Sequence, residues 1–345
     1  VATERRQTRL NMVRSSASSD GCRGHSFPQD TPTPLAARDK LAAEVGVGGI
    51  YIKDEPYRFG LNAFKVLGGS FAMARFIAQQ TGRDISELGY GQLTSPDIKK
   101  QLGDYTFFTA TDGNHGRGVA WAANQIGQHS VVYMPKGYSQ IRLEKIRAEG
   151  ARASITELNY DDEVRLATAE SAKTPNSVVI QDTAWAGYEE IPAWVMQGYG
   201  TMALEAVEQL KGYGVERPTH IFVQAGVGSL AGGVQGFFAN YYPDNVPVTT
   251  VVEAAAADCI YRSAMKKDGG IVNVGGDLVT IMAGLACGEA NTISGEMLKD
   301  KPSFFVSLPD YAAAWAMRVL GAPIAGDPRV ISGESGAAGL GALLD

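Results

Sequence analysis

Short runs of β-branched and aromatic residues alternate along the chain with longer segments whose apolar residues recur every three or four positions. From Thr31 onward this alternation predicts an α/β protein with mostly parallel sheets. The predicted strands are Ile50–Glu55, Thr106–Thr111, Ser130–Pro135, Ala153–Leu158, Val178–Thr183, His220–Gln224, Val248–Glu253 and Phe304–Leu308. The predicted helices include Val66–Gln80, Gly116–Ile126, Gln140–Glu149, Asp161–Ala172, Pro192–Leu210 and Leu230–Ala239.

The length and the apolar strands together predict two domains. A single core stops growing at about 250 to 300 residues, and this chain has 345. Near-continuous apolar runs such as Ser130–Pro135 are typical of central strands covered on both faces. Each domain is therefore expected to be a mostly parallel twisted sheet flanked by helices. Ligands of such sheets bind beyond the carboxyl ends of the strands, so the strand-to-helix turns carry the functional information.

Composition and charge indicate which kinds of binding partner the protein can have. The formal net charge is -6 without clustered Lys and Arg, which argues against a nucleic-acid partner. No apolar stretch reaches the ~20 residues of a membrane span. The three cysteines form no C-x-x-C pair and the four histidines show no metal spacing, so a reducing cytoplasm is expected and a metal site is not. A small molecule is the expected partner, and residues 1–26 are interpreted as an N-terminal arm.

The first unusual turn is segment 59–69, in which Asn62 is predicted to cap a helix that presents Lys65 among apolar neighbours. Apolar surroundings favour a neutral amine, which is the form that attacks a carbonyl in a Schiff-base lysine. The same features also fit a lysine that packs its stem on the core and keeps its ammonium in water.

The second unusual turn is Thr111–Gly116, which follows a predicted strand and opens a helix. Gly113 and Gly116 would let a ligand approach the backbone, and amides at a helix start attract an anion. The alternative is that Asp112 and Asn114 only cap the helix.

The third unusual turn lies within His220–Gly233, where a strand leads through a glycine loop into a helix. Such a loop can cradle a phosphate on backbone amides. Gly226, Gly228 and Ala231 also fit the dinucleotide fingerprint G-x-G-x-x-G/A, with Glu253 where a ribose-binding acid is expected. An NAD-dependent oxidoreductase using the Gly226-Val-Gly228 loop is therefore a rival hypothesis, although it gives no role to the first two turns.

In this order the three turns resemble the tryptophan-synthase-like family of fold type II pyridoxal-phosphate (PLP) enzymes, which includes threonine dehydratase and serine racemase. The resemblance begins at Thr31-Pro-Thr-Pro-Leu35 and runs almost to the end of the chain. It implies a two-domain tryptophan-synthase β-like fold, PLP as the cofactor and a homodimer. The large domain would comprise residues 27–104 and 184–345, and the small domain residues 105–183.

The resemblance also implies roles for individual residues. Lys65 corresponds to the lysine that binds the cofactor covalently, and Asn114 to the residue that hydrogen-bonds the 3' oxygen of its ring. The implied phosphate-binding residues are Gly226, Val227, Gly228, Ser229 and Leu230. The implied substrate-binding residues are Asp112, Gly113, Asn114, His115 and Asp182.

A finer resemblance is to the diaminopropionate ammonia-lyases. It rests on segments 53–65, 111–118, 181–185, 258–263, 282–289 and 331–336. It implies elimination of both enantiomers of 2,3-diaminopropionate to pyruvate and two ammonia molecules. Lys65, Asp112 and Asp182 would be catalytic, with Asp182 holding the β-ammonium and Asp112 acting as a base opposite Lys65. Asp182 alternatively caps or turns the chain after its strand.

Two further alternatives stay open at this stage. In relatives the chain continues past the helix after Gly336 with a strand and a loop that contacts the pyridine nitrogen, whereas this sequence stops at Asp345. Either the sequence is partial or the cofactor lacks that contact, and the second case would leave a catalytically silent PLP-binding fragment. A related serine or threonine dehydratase-type lyase is the other alternative.

Overall fold

The computed structural model describes residues 27–111, 113–299 and 303–345, so the N-terminal arm predicted for 1–26 and Asp112 lie outside the described residues. The strands are β1 (Leu35–Ala37), β2 (Tyr51–Lys53), β3 (Thr106–Ala110), β4 (His129–Met134), β5 (Arg152–Ile155), β6 (Ser177–Val179), β7 (His220–Gln224), β8 (Val248–Ala254) and β9 (Ser303–Leu308). The helices are α1 (Asp39–Val45), α2 (Val66–Thr81), α3 (Tyr90–Leu93), α4 (Pro96–Leu102), α5 (Asn114–Gln125), α6 (Gln140–Ala148), α7 (Tyr160–Lys173), α8 (Glu190–Gly212), α9 (Ser229–Tyr241), α10 (Cys259–Met265), α11 (Thr292–Lys299), α12 (Asp310–Gly321) and α13 (Glu334–Leu344). Short 3-10 turns occur at Glu55–Gly60, Ile85–Glu87 and Ala283–Leu285.

Every predicted strand and helix named above corresponds to an element of the structure. Four strands are shorter than predicted: β3 ends at Ala110 and β5 at Ile155, while β2 covers only Tyr51–Lys53 and β6 only Ser177–Val179. The apolar run continues past β6, but Ile180 makes the last ladder-like bond, from its N–H to the Phe108 carbonyl, before the chain bends. Strand β1 was not predicted because three residues are too few for a periodicity.

The chain packs as two compact units. Among the described residues, the first contains 27–31 and 63–201 and the second contains 32–62 and 202–345. The domain division predicted from the sequence, 27–104 with 184–345 and 105–183, stays a prediction beside these units. Within the described ranges, no helix combines the length and apolar character that membrane crossing requires.

The first unit is built on a parallel four-stranded sheet with the order β5-β4-β3-β6. Because the strands are parallel, the segments that follow them start at the same edge of the sheet. These segments are the turn at Thr111 after β3, the Asn159 cap and Tyr160 after β5, and the bend at Asp182 after β6. Asn159 Oδ1 accepts a hydrogen bond from the Asp162 N–H and so starts α7 at this edge.

Glycines let α2 and α5 of the first unit approach each other closely. A Cβ added at Gly118 would lie 2.8 Å from Val66 Cα, and one added at Gly69 would lie 3.3 Å from Val119 Cγ2. A Cβ at Gly198, on α8, would lie 2.4 Å from the Leu67 carbonyl oxygen. The start of α2 is thus held between two helices at backbone contact distance.

The second unit contains a parallel sheet with the order β7-β8-β9 and the antiparallel pair β1-β2. Its described core includes two clusters, one formed with residues of α1, α12 and α13 and one between α12, α13 and the sheet. Their buried members include Leu41, Ile50, Leu320, Leu340, Val252, Leu285 and Leu308.

A buried ionic cluster ties segment 32–62 to the second half of α8 within this unit. Arg58 Nη2 lies 2.8 Å from Glu205 Oε2 and 2.9 Å from Glu55 Oε1, and Lys53 Nζ lies 2.7 Å from Glu205 Oε2. Burial would raise the pKa of Glu205, but Arg58 and Lys53 hold it below its ordinary value. The two cations balance the two carboxylates, which is the condition for keeping charges out of water.

Replacing Gly118 by Ala should destabilise the first unit because its Cβ would meet the Val66 backbone, which cannot rotate away as a side chain can. The expected loss in free energy of unfolding is about 1 to 3 kcal/mol, measured by urea denaturation. Gly91→Ala is the matched control, since a Cβ there has no atom within 4 Å. Equal stabilities of the two variants would contradict the packing role of Gly118.

Candidate active site

Lys65 occupies the N-cap position of α2, one residue before the helix starts at Val66. The prediction that Asn62 caps this helix is wrong, because α2 begins without a side-chain cap hydrogen bond. Asn62 instead has a left-handed backbone with φ of 59°, a conformation that asparagine tolerates and that serves the turn before the helix. The Lys65 side chain is 18% exposed, and its Nζ lies 3.5 Å from Asp182 Oδ2. Its amine is therefore directed at a buried carboxylate.

Asp182 is the centre of a polar cluster in the first unit. Its Oδ1 accepts hydrogen bonds from Tyr160 Oη at 3.2 Å and from Gln181 Nε2 at 3.3 Å, while Oδ2 faces Lys65. Burial would raise the pKa of Asp182, but His115 and Lys65 hold it below its ordinary value. The group is thus a carboxylate that is both buried and ionised.

The ring of His115 lies in the interior beside Asp182. It is 1% exposed, and its Nε2 is 2.8 Å from the Ile180 carbonyl oxygen. Its Nδ1 is 4.0 Å from Asp182 Oδ2 and has no hydrogen-bond partner. The predicted substrate-binding loop therefore sends one of its side chains inward, toward the carboxylate.

Thr111 organises the loop that carries Asn114. Its Oγ1 accepts hydrogen bonds from the N–H groups of Gly113 and Gly116, both at 2.9 Å, and so caps the start of α5. Asn114 is exposed at the first position of that helix. A Cβ at Gly116 would lie 2.4 Å from Thr111 Cγ2, so packing requires glycine there, and the predicted ligand approach stays a prediction. Asp112 is outside the described residues.

The glycine loop at residues 226–230 lies in the second unit, between β7 and α9. Gly228 has φ of 99°, which favours glycine, and it is the N-cap residue of α9. Asn291 holds the loop from two sides: its N–H donates to the Val227 carbonyl at 2.7 Å and its Nδ2 donates to Ser229 Oγ at 2.7 Å. The loop thus presents a helix start on a fixed backbone.

Each unit by itself fits one part of PLP. The left-handed glycine followed by a helix start in residues 226–230 is the arrangement that binds a phosphate through backbone amides. Lys65 supplies a partly exposed amine, the group that forms a Schiff base with a carbonyl. Within the described ranges, no group of three or more His, Cys, Asp or Glu side chains could hold a metal ion.

Glu253 does not have the properties of a ribose-binding acid. It is fully buried, and its two oxygens accept hydrogen bonds from the N–H groups of Ile260 at 2.9 Å and Tyr261 at 2.6 Å. Burial raises the pKa of Glu253 to about 8. The carboxyl group is thus occupied by the start of α10, which removes the residue that the oxidoreductase hypothesis needs.

The chain belongs to the family of pyridoxal-phosphate-dependent enzymes, whose sequence profile matches residues 27–345. This membership confirms the predicted fold type II architecture and PLP as the cofactor, and the oxidoreductase hypothesis is wrong.

Within the family, the chain is similar to the diaminopropionate ammonia-lyases. It is 53% identical over 320 residues to that enzyme of Salmonella typhimurium, covering 92% of this chain and 79% of the relative. Two crystal structures of the Escherichia coli diaminopropionate ammonia-lyase, each 47% identical, cover 98% of this chain and 81% of theirs. The complex with D-serine matches with a TM-score of 0.85 and the complex with an aminoacrylate-PLP azomethine reaction intermediate with 0.83.

The sequence interpretation missed four residues that hold the candidate site together: Thr111, Tyr160, Gln181 and Asn291. Gln181 and Thr111 lie inside the segments that carry the finer resemblance, but their neutral side chains carry less chemical signal than those of their neighbours Asp182 and Asp112. Tyr160 and Asn291 have no local signal, because each acts on a residue brought near only by folding.

Replacing Thr111 by Val should loosen the loop that carries Asn114, because the hydroxyl that caps two amides is lost while the volume is kept. The free energy of unfolding should fall by about 1 to 2 kcal/mol, as measured by chemical denaturation. Thr111→Ser keeps the hydroxyl and should stay closer to the parent protein. If the two variants were equally stable, the capping role would be refuted.

Proposed function

We propose that this chain is a diaminopropionate ammonia-lyase that converts 2,3-diaminopropionate to pyruvate and two ammonia molecules. The observation that carries the proposal is the pair formed by Lys65 and Asp182, an amine 3.5 Å from a buried, ionised carboxylate. The similarity to the Salmonella typhimurium and Escherichia coli enzymes supports it.

The roles proposed for the chain's residues follow from their chemistry. When bound, PLP supplies an electron sink that stabilises negative charge at the substrate's α-carbon. Lys65 would bind the cofactor covalently, and its amine, when free, would take the α-proton of one enantiomer. Asn114 would donate to the 3' oxygen of the ring, and residues 226–230 would bind the phosphate. Gly113 and His115 complete the loop that receives the substrate.

Asp182 is proposed to hold the β-ammonium of the substrate. An amine leaves a carbon far more readily when it is protonated, and a carboxylate at hydrogen-bond distance favours the protonated form. Asp182 is suited to this role because it is ionised although it is buried. Asp112 is proposed as the base that removes the α-proton from the face opposite Lys65.

The predicted homodimer and cytoplasmic location are part of the same proposal. A serine or threonine dehydratase-type activity is the second candidate, since an Escherichia coli relative was crystallised with D-serine. Assaying serine beside diaminopropionate distinguishes the two candidates, because Asp182 favours a substrate with a cationic β-substituent.

Borohydride reduction followed by peptide mapping is expected to place the cofactor label on Lys65. The purified protein should also be yellow and release pyruvate from 2,3-diaminopropionate, which a silent PLP-binding fragment would not do. Lys65→Ala is the control and should lose the label. A label on Lys53 or Lys136 would overturn the assignment.

Asp182→Asn should lower kcat/KM for 2,3-diaminopropionate by roughly 10- to 100-fold, the range for losing a hydrogen bond to a charged group. β-Chloroalanine, whose leaving group carries no positive charge, should lose much less. Steady-state pyruvate assays on both substrates measure the difference. Equal losses would show that Asp182 does not act on the β-ammonium.

Asp112→Asn should abolish most turnover of one enantiomer, the D form by resemblance to the family, because a general base contributes about 10²- to 10⁴-fold. Turnover of the L form should stay within roughly tenfold. Pyruvate assays on each pure enantiomer measure the split. Equal losses on both would mean that Asp112 binds or orients the substrate and is not a face-specific base.

A further inference from the structure

The side chain of Gln181 continues the sheet of the first unit at the point where the backbone of β6 leaves it. The Ile180 N–H donates to the Phe108 carbonyl of β3. In a regular parallel ladder the next bond would join the Ala110 N–H to the Ile180 carbonyl. That carbonyl instead lies 2.8 Å from His115 Nε2, and the Gln181 amide takes its place on β3.

The backbone of Ala110 fixes the orientation of this amide. The Ala110 N–H donates to Gln181 Oε1 at 3.0 Å, and the Ala110 carbonyl accepts from Nε2 at 3.1 Å. A backbone N–H can only donate and a carbonyl can only accept, so the two ends of the amide cannot be exchanged. The Thr109 hydroxyl also lies 3.0 Å from Oε1. One of the two hydrogens on Nε2 is thus bound to Ala110, and the other is left for a second acceptor.

The second hydrogen is directed at the hydroxyl of Tyr160, the first residue of α7. Gln181 Nε2 lies 2.8 Å from Tyr160 Oη and 3.3 Å from Asp182 Oδ1, so the phenol oxygen is the nearer acceptor. Because the Tyr160 oxygen accepts this hydrogen, its own hydrogen points to a different atom. Asp182 Oδ1 lies 3.2 Å from it, and an ionised carboxylate is a strong acceptor. The hydrogen bonds therefore run in one direction, from Gln181 to Tyr160 to Asp182.

This direction decides which oxygen of Asp182 is presented to the site. Oδ1 receives hydrogens from Tyr160 and Gln181, whereas Oδ2 lies 3.5 Å from Lys65 Nζ. The backbone of Gln181 is held as well, since its N–H donates to Tyr188 Oη at 2.9 Å. Rotation of the Asp182 carboxylate would break the bonds at Oδ1.

We propose that Gln181 is a positioning residue that directs the Tyr160 hydroxyl to Asp182 and so presents Oδ2 to the β-ammonium of the substrate. The inference deepens the proposed function, and its catalytic part rests on the role proposed there for Asp182. Gln181 acts through Tyr160 and needs no contact with substrate or cofactor. Through Ala110 it also holds the end of β3, so one amide aligns the two loops that carry Asp182 and Asn114.

The substitution Gln181→Glu changes the hydrogens of this side chain while nearly keeping its shape. The new group can still accept from the Ala110 N–H. It has no hydrogen to donate when it is ionised and one when it is protonated, so it cannot donate to both the Ala110 carbonyl and the Tyr160 oxygen. The Tyr160 hydroxyl is then expected to donate to the new carboxyl group and to release Asp182.

NMR of tyrosine labelled with carbon-13 at Cζ reports this hydrogen bond in the holoenzyme without substrate. The Tyr160 signal is identified among 14 tyrosines by its loss in Tyr160→Phe. Asp182→Asn should shift this signal, because the hydroxyl loses an ionised acceptor. The same substitution should shift it much less when Gln181→Glu is already present, because the hydroxyl no longer donates to position 182. Equal shifts in the two backgrounds would overturn the inference.

Gln101→Glu is the matched control, since it makes the same chemical change on an exposed side chain of α4 whose amide donates to the Thr81 carbonyl. The shift caused by Asp182→Asn should stay at full size in this background. A reduction as large as with Gln181→Glu would show that added charge is the cause, and the inference would be overturned.

Substrate discrimination tests the consequence for catalysis. Gln181→Glu and Tyr160→Phe should each lower kcat/KM for 2,3-diaminopropionate relative to that for β-chloroalanine by roughly 3- to 10-fold. The double variant should lose no more than the larger single loss, because both act on one hydrogen bond. A purely structural role would lower both substrates by the same factor, and that result would contradict the inference.

Two variants keep the outcomes separable. Tyr160→Phe keeps both bonds between Gln181 and Ala110, so an unchanged substrate ratio in this variant overturns the inference even if Gln181→Glu does not fold. Asp182→Asn tests the proposed function itself. If it leaves the ratio unchanged, the role proposed for Asp182 fails, and the NMR comparison alone decides whether Gln181 directs the Tyr160 hydroxyl.

Discussion

A carboxylate that is removed from water loses its hydration, and cations and hydrogen-bond donors must compensate for that loss. Asp182 imposes this constraint on the first unit. Its partners come from separate parts of the chain: Lys65 precedes α2, His115 lies on α5 and Tyr160 begins α7. Those three helices must therefore end or begin at one edge of the β5-β4-β3-β6 sheet. The close packing of α2 on α5, which Gly118 permits, places the Lys65 end of α2 in that arrangement.

The second unit contains a buried ionic cluster of a different kind. Glu55 and Glu205 are balanced by Lys53 and Arg58, and Thr33 and Gln209 add hydrogen bonds to the same cluster. No member of that cluster is expected to change charge, so it fixes segment 32–62 on α8. Asp182, in contrast, faces the lysine that is proposed to bind the cofactor. The cluster around Asp182 is therefore part of the proposed active site, whereas the cluster around Glu205 stabilises the fold.

The sequence shows where the glycines are, but it does not show which structural role each of them has. Gly228 has the left-handed backbone that a phosphate-binding loop was expected to need, so the prediction for that turn agrees with its conformation. Gly116 was predicted to let a ligand approach, and the structure adds a packing reason, because a Cβ there would meet Thr111 and Val132. No role could be predicted for Gly118 and Gly198, because nothing in the sequence distinguishes a helix glycine that permits close packing from one that occurs by chance. The reason for each glycine depends on what lies opposite its missing Cβ.

The sequence by itself determined the alternation of strands and helices, because side-chain periodicity is a local property of the backbone. It also determined the three turns and the motifs that lead to Lys65, Asn114, Asp182 and residues 226–230. Only the tertiary structure decided which partners these residues have. Lys65 and Asp182 are 117 positions apart, and Asn291 is 62 positions from the Ser229 that it holds. Such pairs depend on the order of strands in a sheet and on helix packing, which no local pattern contains.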